Sequence, residues 1–141
     1  MNPTQLSNLR ALLTNMLAQQ AQSLELHHGD CLGADAQAHA LATELGVRTV
    51  IHPPKNTSKR AFVCGDEYRL PLHYIARNHR IVDQTEILIA APKGAKEEVR
   101  SGTWATVRYA ALLDRPLLIL TPGGGILRSR PIPEAEEERT R

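Results

Sequence analysis

Ile87-Leu88-Ile89-Ala90-Ala91-Pro92, followed by Arg100-Ser101-Gly102-Thr103-Trp104-Ala105-Thr106-Val107-Arg108-Tyr109-Ala110, is the stretch whose reading decides the fold. The first run is continuously apolar and reads as a buried strand. The second opens with a Ser-Gly-Thr turn and then repeats its apolar residues at helical spacing. The same strand–turn–helix pattern occurs earlier, at His27-His28-Gly29-Asp30-Cys31-Leu32-Gly33-Ala34-Asp35.

Working outward, Leu6, Leu9, Leu12, Leu13 and Leu17 mark a first helix to about residue 22, with Thr4 as its expected N-cap. A strand is expected over 23–28. A second helix begins at Asp35 and stops at Gly46. Further strands are expected over 47–52, 86–91 and 117–121, and further helices over 72–84 and 102–113. Residues 55–70 read as irregular. Alternating helices and strands imply an α/β fold, a parallel sheet with helices on both faces. Residues 1–122 form one expected domain. Residues 123–141, rich in Gly, Pro and Glu, are an expected disordered tail.

The bulk properties exclude several classes. The 141 residues carry a formal net charge of +2, which gives no general electrostatic case for nucleic-acid binding. No apolar run approaches the ~20 residues of a membrane helix. Met1-Asn2-Pro3-Thr4-Gln5 lacks the features of a signal peptide. Cys31 and Cys64 are too few for a disulfide framework and fit no zinc spacing, so a cytoplasmic protein without metal or cofactor is expected.

In a parallel α/β sheet, ligands bind beyond the carboxyl ends of the strands. The unusual loops all leave strands at that end: 28–35, 52–60, 92–103 and 122–125. Ser101, Gly102 and Thr103, with Arg100 beside them, read either as a phosphate cradle or as an ordinary helix cap. Gly29 and Gly33 permit a tight turn. Asp30 is a candidate acceptor for ribose hydroxyls or a base. Asp35 reads as a cap or as a partner of His39, four residues on. Cys31, near a helix N-terminus, is a candidate low-pKa thiol. Arg77 and Arg80 lie three apart on one helix, either as a guanidinium fork for an anion or as a solvated face, with Arg80 able to pair with Asp83. Trp104 and Tyr109 read as core or interface.

Three ordered motifs resemble the SLOG superfamily, the Rossmann-like group that unites DNA-processing protein A (Smf) with the lonely-guy phosphoribohydrolases. They are His-Gly-Asp-Cys-x-Gly-Ala-Asp-x-x-x-His over 28–39, Arg77-Asn78-x-Arg80-Ile81-Val82 with Leu88-Ile89-Ala90-Ala91-Pro92, and Arg100-Ser101-Gly102-Thr103-Trp104-Ala105-Thr106. The likeness is to small stand-alone bacterial and phage members of the YspA-like type, over residues 3–122. It implies a Rossmann-like three-layer sandwich and a nucleotide or nucleotide-derived ligand at the strand-end rim, for a sensor or a hydrolase. Ligand contacts would come from Gly29, Cys31, Gly33, Asp35, Arg80, Arg100, Ser101, Gly102 and Thr103.

In the phosphoribohydrolases a Gly-Gly-x-Gly-Thr-x-x-Glu loop holds the phosphate and supplies a catalytic glutamate. Gly102-Thr103 resembles its Gly-Thr, and Arg77 resembles the upstream arginine. Thr106 stands where the glutamate would be, so a nucleoside-monophosphate phosphoribohydrolase would need Asp30 as a substitute, with Arg77. Single-stranded DNA binding, as in the DNA-processing relatives, is a further alternative, although the basic charge and aromatic platforms of that role are missing. Such proteins usually begin with a strand and a glycine-threonine loop ahead of the first helix. Here Met1 opens at the helix, so the expected sheet lacks its usual first strand, and a homodimer lending one is a related expectation.

Overall fold

The computed structural model describes residues 1–20, 23–94 and 96–129. Among the described residues, four helices and six strands follow one another along the chain. Helix α1 (Pro3–Gln20) leads to β1 (Glu25–His28), α2 (Ala34–Leu45) and β2 (Arg48–Ile51). Then follow β3 (Glu67–Tyr68), α3 (Tyr74–Asp83), β4 (Leu88–Ala90), α4 (Gly102–Leu112), β5 (Leu117–Leu120) and β6 (Ile126–Arg128). No helix among the described residues is long and apolar enough to cross a membrane.

The strands alternate their side chains between two helical layers. On β4, Leu88 and Ala90 pack with Trp104 and Val107 of α4 and with Leu117 and Ile119 of β5. The intervening Ile89 and Ala91 pack with Leu9 and Leu13 of α1, Leu41 of α2 and Leu120. Helices α1 and α2 therefore cover one face, and α3 packs beside α4 on the other. This is a Rossmann-like α/β sandwich, as the alternation in the sequence implies.

The strands differ from the expected single sheet. They form two three-stranded sheets, β1-β2-β3 and β4-β5-β6. In the first, β1 pairs in parallel with β2 (His28 opposite Ile51) and β2 with β3 (Ile51 opposite Tyr68). In the second, β4 and β5 are parallel and β6 returns antiparallel to β5. Two short strands lie where the sequence offered no periodicity. β3 falls within the segment read as irregular. β6 falls within the expected disordered tail, because Ile126 packs on the α1 side of the core and Ser129 bonds back to Leu117. Residues 130–141 of that tail lie outside the described residues.

The start of α1 corrects a second expectation. Asn2, not Thr4, closes the helix end: its Oδ1 accepts from the Gln5 amide at 2.8 Å, and Gln5 Oε1 accepts from the Asn2 amide at 3.0 Å. This reciprocal capping box places Pro3 at the first helical position, where a missing N–H costs nothing. Gln5 is only 3% exposed, and its Nε2 donates to the carbonyls of Pro92 and Leu120, both at 2.8 Å. One side chain thus caps α1 and ties it to the carboxyl ends of β4 and β5.

Asn2→Ala is expected to cost about 1 kcal/mol of unfolding free energy, as a lost cap does. Gln5→Leu is expected to cost about 2–4 kcal/mol, because two buried carbonyls lose their donor. Thr4→Ala should stay within about 0.5 kcal/mol of the parent. Urea titration of the three variants checks the order.

Candidate functional site

The carboxyl ends of β1 and β2 converge on one buried arginine. Arg77, on α3, is 4% exposed, and its Nη1 donates to the Gly29 carbonyl at 2.5 Å and the His52 carbonyl at 3.3 Å. Its Nη2 approaches Cys31 Sγ at 3.7 Å, and its Nε donates to Asn78 Oδ1 at 2.7 Å. Gly29 is required by this packing: a Cβ there would stand 2.5 Å from Arg77 Nη1. No carboxylate pairs with Arg77 or Arg80 among the described residues. Arg80 donates through Nε to His52 Nδ1 at 3.0 Å, while its buried Nη2 has no hydrogen-bond partner among the described residues. Burial, then the nearby charges of Arg69 and Arg77, lower the Arg80 pKa.

The turn after β1 is held by its two aspartates. Asp35 Oδ2 accepts from the amides of Gly29 and Cys31, at 3.1 and 3.0 Å, so it closes the turn ahead of α2 rather than pairing with His39. Gly33, at φ 91°, precedes α2 without a side-chain cap. Asp30 is fully buried at φ 58°, and both its oxygens are engaged, by Arg60 Nε at 2.6 Å and the Val63 amide at 3.1 Å. The Asp30 carbonyl also accepts from Ala61 at 2.7 Å. Asp30 therefore clasps the 52–66 loop onto the turn. Each carboxylate oxygen thus holds one donor from that loop. Arg60, distant in sequence, was not legible as its partner.

Cys31 departs from the low-pKa expectation. Burial, then the Asp35 carboxylate, raise its thiol, and Arg77 only partly opposes them. Cys31 and Cys64 are both free.

Four histidines lie around this turn, and six hydrogen bonds fix their protons. Arg80 Nε–H can only donate, so His52 Nδ1 accepts and His52 Nε2 carries the proton. That proton goes to His27 Nδ1 at 2.9 Å, and His27 Nε2–H donates to Glu25 Oε1 at 3.1 Å. In the second chain the Asp30 amide donates to His28 Nδ1 at 3.0 Å, and His28 Nε2–H to His39 Nδ1 at 3.0 Å. His39 Nε2–H then donates to the Cys64 carbonyl at 3.0 Å. A second proton on His52 would face the Arg80 donor. Burial, then the charges of His27 and Arg80, push its pKa down to about 3. Burial likewise lowers that of His28.

Gly29, Asp30, Cys31, Asp35, Arg77 and, through His52, Arg80 thus form one connected network. Arg100, Ser101, Gly102 and Thr103 head α4, outside that network. Ser101 is the N-cap, its Oγ accepting from the Trp104 amide at 3.3 Å. Thr106 spends its hydroxyl on the Gly102 carbonyl at 2.9 Å. Trp104 is core, and its buried Nε1 has no partner among the described residues. Tyr109 donates to Asp83 at 2.8 Å and stacks on His79. Asp83 therefore serves Tyr109 and not Arg80.

The α1 and α2 heads meet at the same end of the molecule. Gln37 Nε2, in the first turns of α2, donates to the Met1 carbonyl at 3.1 Å, while Asn2 Nδ2 reaches the Pro122 carbonyl at 2.9 Å. The ends of β1, β4 and β5 therefore share one rim.

His52 is expected to make the fold acid-sensitive. Its folded pKa of about 3 lies below the ordinary value of 6.5, so the unfolded chain binds the extra proton as pH falls. Its contribution should be intact above pH 6.5 and decline between pH 6.5 and 3, by at most about 1.4 kcal/mol per pH unit. His52→Gln keeps an acceptor for Arg80 and a donor for His27, so its unfolding free energy should show a shallower decline over that window in pH-dependent urea titrations.

Comparison with protein families, with curated proteins and with solved structures finds no match to this chain.

Proposed function

We propose that this chain binds a small phosphate-bearing ligand, a nucleotide or nucleotide derivative, at the carboxyl-end rim of its strands. The observation that carries the reading is the pair Arg77 and Arg80: two guanidinium groups with no carboxylate counter-ion, one buried and one with an orphan buried N–H group. A buried cation without a partner is costly, and an anion with several oxygens relieves that cost. The exposed Gly102 and Thr103 at the head of α4 add a second, weaker attraction for negative charge. The likeness of three motifs to the SLOG superfamily narrows the anion to a nucleotide.

The reading is binding without turnover. Phosphoribohydrolysis needs a carboxylate free to exchange a proton or to face an oxocarbenium ion. Asp30 is committed to Arg60 and Val63, and Thr106 offers only a hydroxyl.

Calorimetry at low salt with AMP, GMP, ADP and inorganic phosphate tests the proposal. At least one nucleotide is expected to bind saturably, more weakly as salt rises, and about tenfold more weakly to Arg80→Gln. No free base should appear on long incubation. Absence of heat with every nucleotide, on a protein with an intact circular-dichroism spectrum, overturns it. So does tighter binding of a single-stranded oligonucleotide than of any mononucleotide.

A further inference from the structure

Where Asp30 clasps the 52–66 loop, the residue at the clasp is Phe62. Both its neighbours are bound to Asp30. The Ala61 amide donates to the Asp30 carbonyl at 2.7 Å, and the Val63 amide to Asp30 Oδ1 at 3.1 Å. Between them Phe62 is held at φ 58°. That conformation is costly for a bulky side chain. The other non-glycine residues that adopt it among the described residues, Asp30 and Asp114, are of a type that tolerates it. Strain of this kind persists only where the surroundings over-determine it, and it gathers at ligand sites.

The side chain so held is not core. Phe62, the chain's single phenylalanine, is 62% exposed. One face of its ring is covered: Arg60 Cζ stands over it, 4.5 Å from the centroid, and Arg60 is itself held by Asp30 Oδ2 at 2.6 Å. The loop is pinned on either side as well. The Leu32 amide donates to the Lys59 carbonyl at 2.9 Å, and the Tyr68 hydroxyl to the Val63 carbonyl at 2.8 Å. A ring with a guanidinium behind it, a fixed backbone beneath it and solvent over the rest of its surface is pre-organised for stacking.

We propose that Phe62 is the stacking surface for the base of the ligand, and that the ligand is a purine nucleotide. This rests on the reading of Arg77 and Arg80 as the phosphate site. Gly29, whose carbonyl takes Arg77, precedes Asp30, and Phe62 follows Ala61, so the guanidinium and the ring border the same turn. A phosphate at one and a base at the other use the two ends of one mononucleotide. Stacking needs a π face and no hydrogen-bond readout, so it favours the larger purine ring over a pyrimidine and does not separate adenine from guanine. As a mere cover for the Arg60–Asp30 pair, the ring would matter for stability and not for the choice of ligand.

The experiment compares AMP, UMP and ribose 5-phosphate by calorimetry on the full chain and on Phe62→Asn and Phe62→Trp. Asn tolerates the left-handed conformation, so Phe62→Asn removes the ring without removing the fold. The parent is expected to bind AMP about tenfold more tightly than ribose 5-phosphate, and more tightly than UMP. Phe62→Asn should lose that preference while its affinity for ribose 5-phosphate stays unchanged, and Phe62→Trp should keep it. Equal affinity of the parent for AMP and ribose 5-phosphate overturns the stacking proposal and leaves the phosphate reading standing. A preference that survives in Phe62→Asn, or equal affinity for AMP and UMP, also overturns it. Adenosine, which has no phosphate, tests the ring alone through the fluorescence of Phe62→Trp, with Leu112→Trp at the exposed far end of α4 as control. Saturable quenching at position 62 and not at 112 supports the stacking surface even if no phosphate ligand binds. Quenching no greater than in the control overturns it.

Discussion

The rim of this molecule depends on the contact between Arg77 and the carbonyls of Gly29 and His52. A guanidinium buried without a carboxylate is an expensive group, and it is tolerated here because backbone oxygens at the ends of two adjacent strands accept its protons. The contact holds α3 against β1 and β2. It also explains why position 29 has no side chain, since a Cβ would occupy the space of the guanidinium. The carbonyls compensate the hydrogen bonds of Arg77 but not its charge, and Arg80 adds a second positive group close by.

Near that charge, burial lowers the pKa of His52 and of His28, and a donor faces a ring nitrogen of each. Arg80 fixes the tautomer of His52, and His52 fixes that of His27. The Asp30 amide does the same for His28 and, through it, His39. The two chains tie β1 to β2 and α3 on one face and to α2 and the 52–66 loop on the other. Asp30, from its buried position, fastens the same loop through Arg60. Asp30, a candidate base in the sequence, and the four histidines are used as directional struts. The groups left without a carboxylate partner among the described residues are the guanidiniums of Arg77 and Arg80.

The second constraint is the split between the sheets. Capping by Asn2 and Gln5 anchors α1 across β4 and β5, and its apolar side reaches over the gap toward β1. The two halves are thus held in register by helices, while β1 and β4 each pair on one side only among the described residues.

The sequence by itself determined the α/β alternation, the four helices to within a few residues, and the strand-end position of the unusual loops. These follow from local periodicity and turn chemistry, which neighbouring residues specify. It also named Gly29, Asp30, Cys31, Gly33, Asp35, Arg77 and Arg80 as candidates, along with Arg100, Ser101, Gly102 and Thr103, which head α4 outside the network of the others. Only the tertiary structure decided several partners: Asp30 with Arg60, Arg80 with His52, and Gln5 with two strand ends. These contacts join residues 30 or more apart or depend on which face a helix presents, and no spacing rule encodes them. β3 and β6 were hidden for a similar reason, since a two- or three-residue strand carries no period of its own and exists only where a longer neighbour offers it an edge.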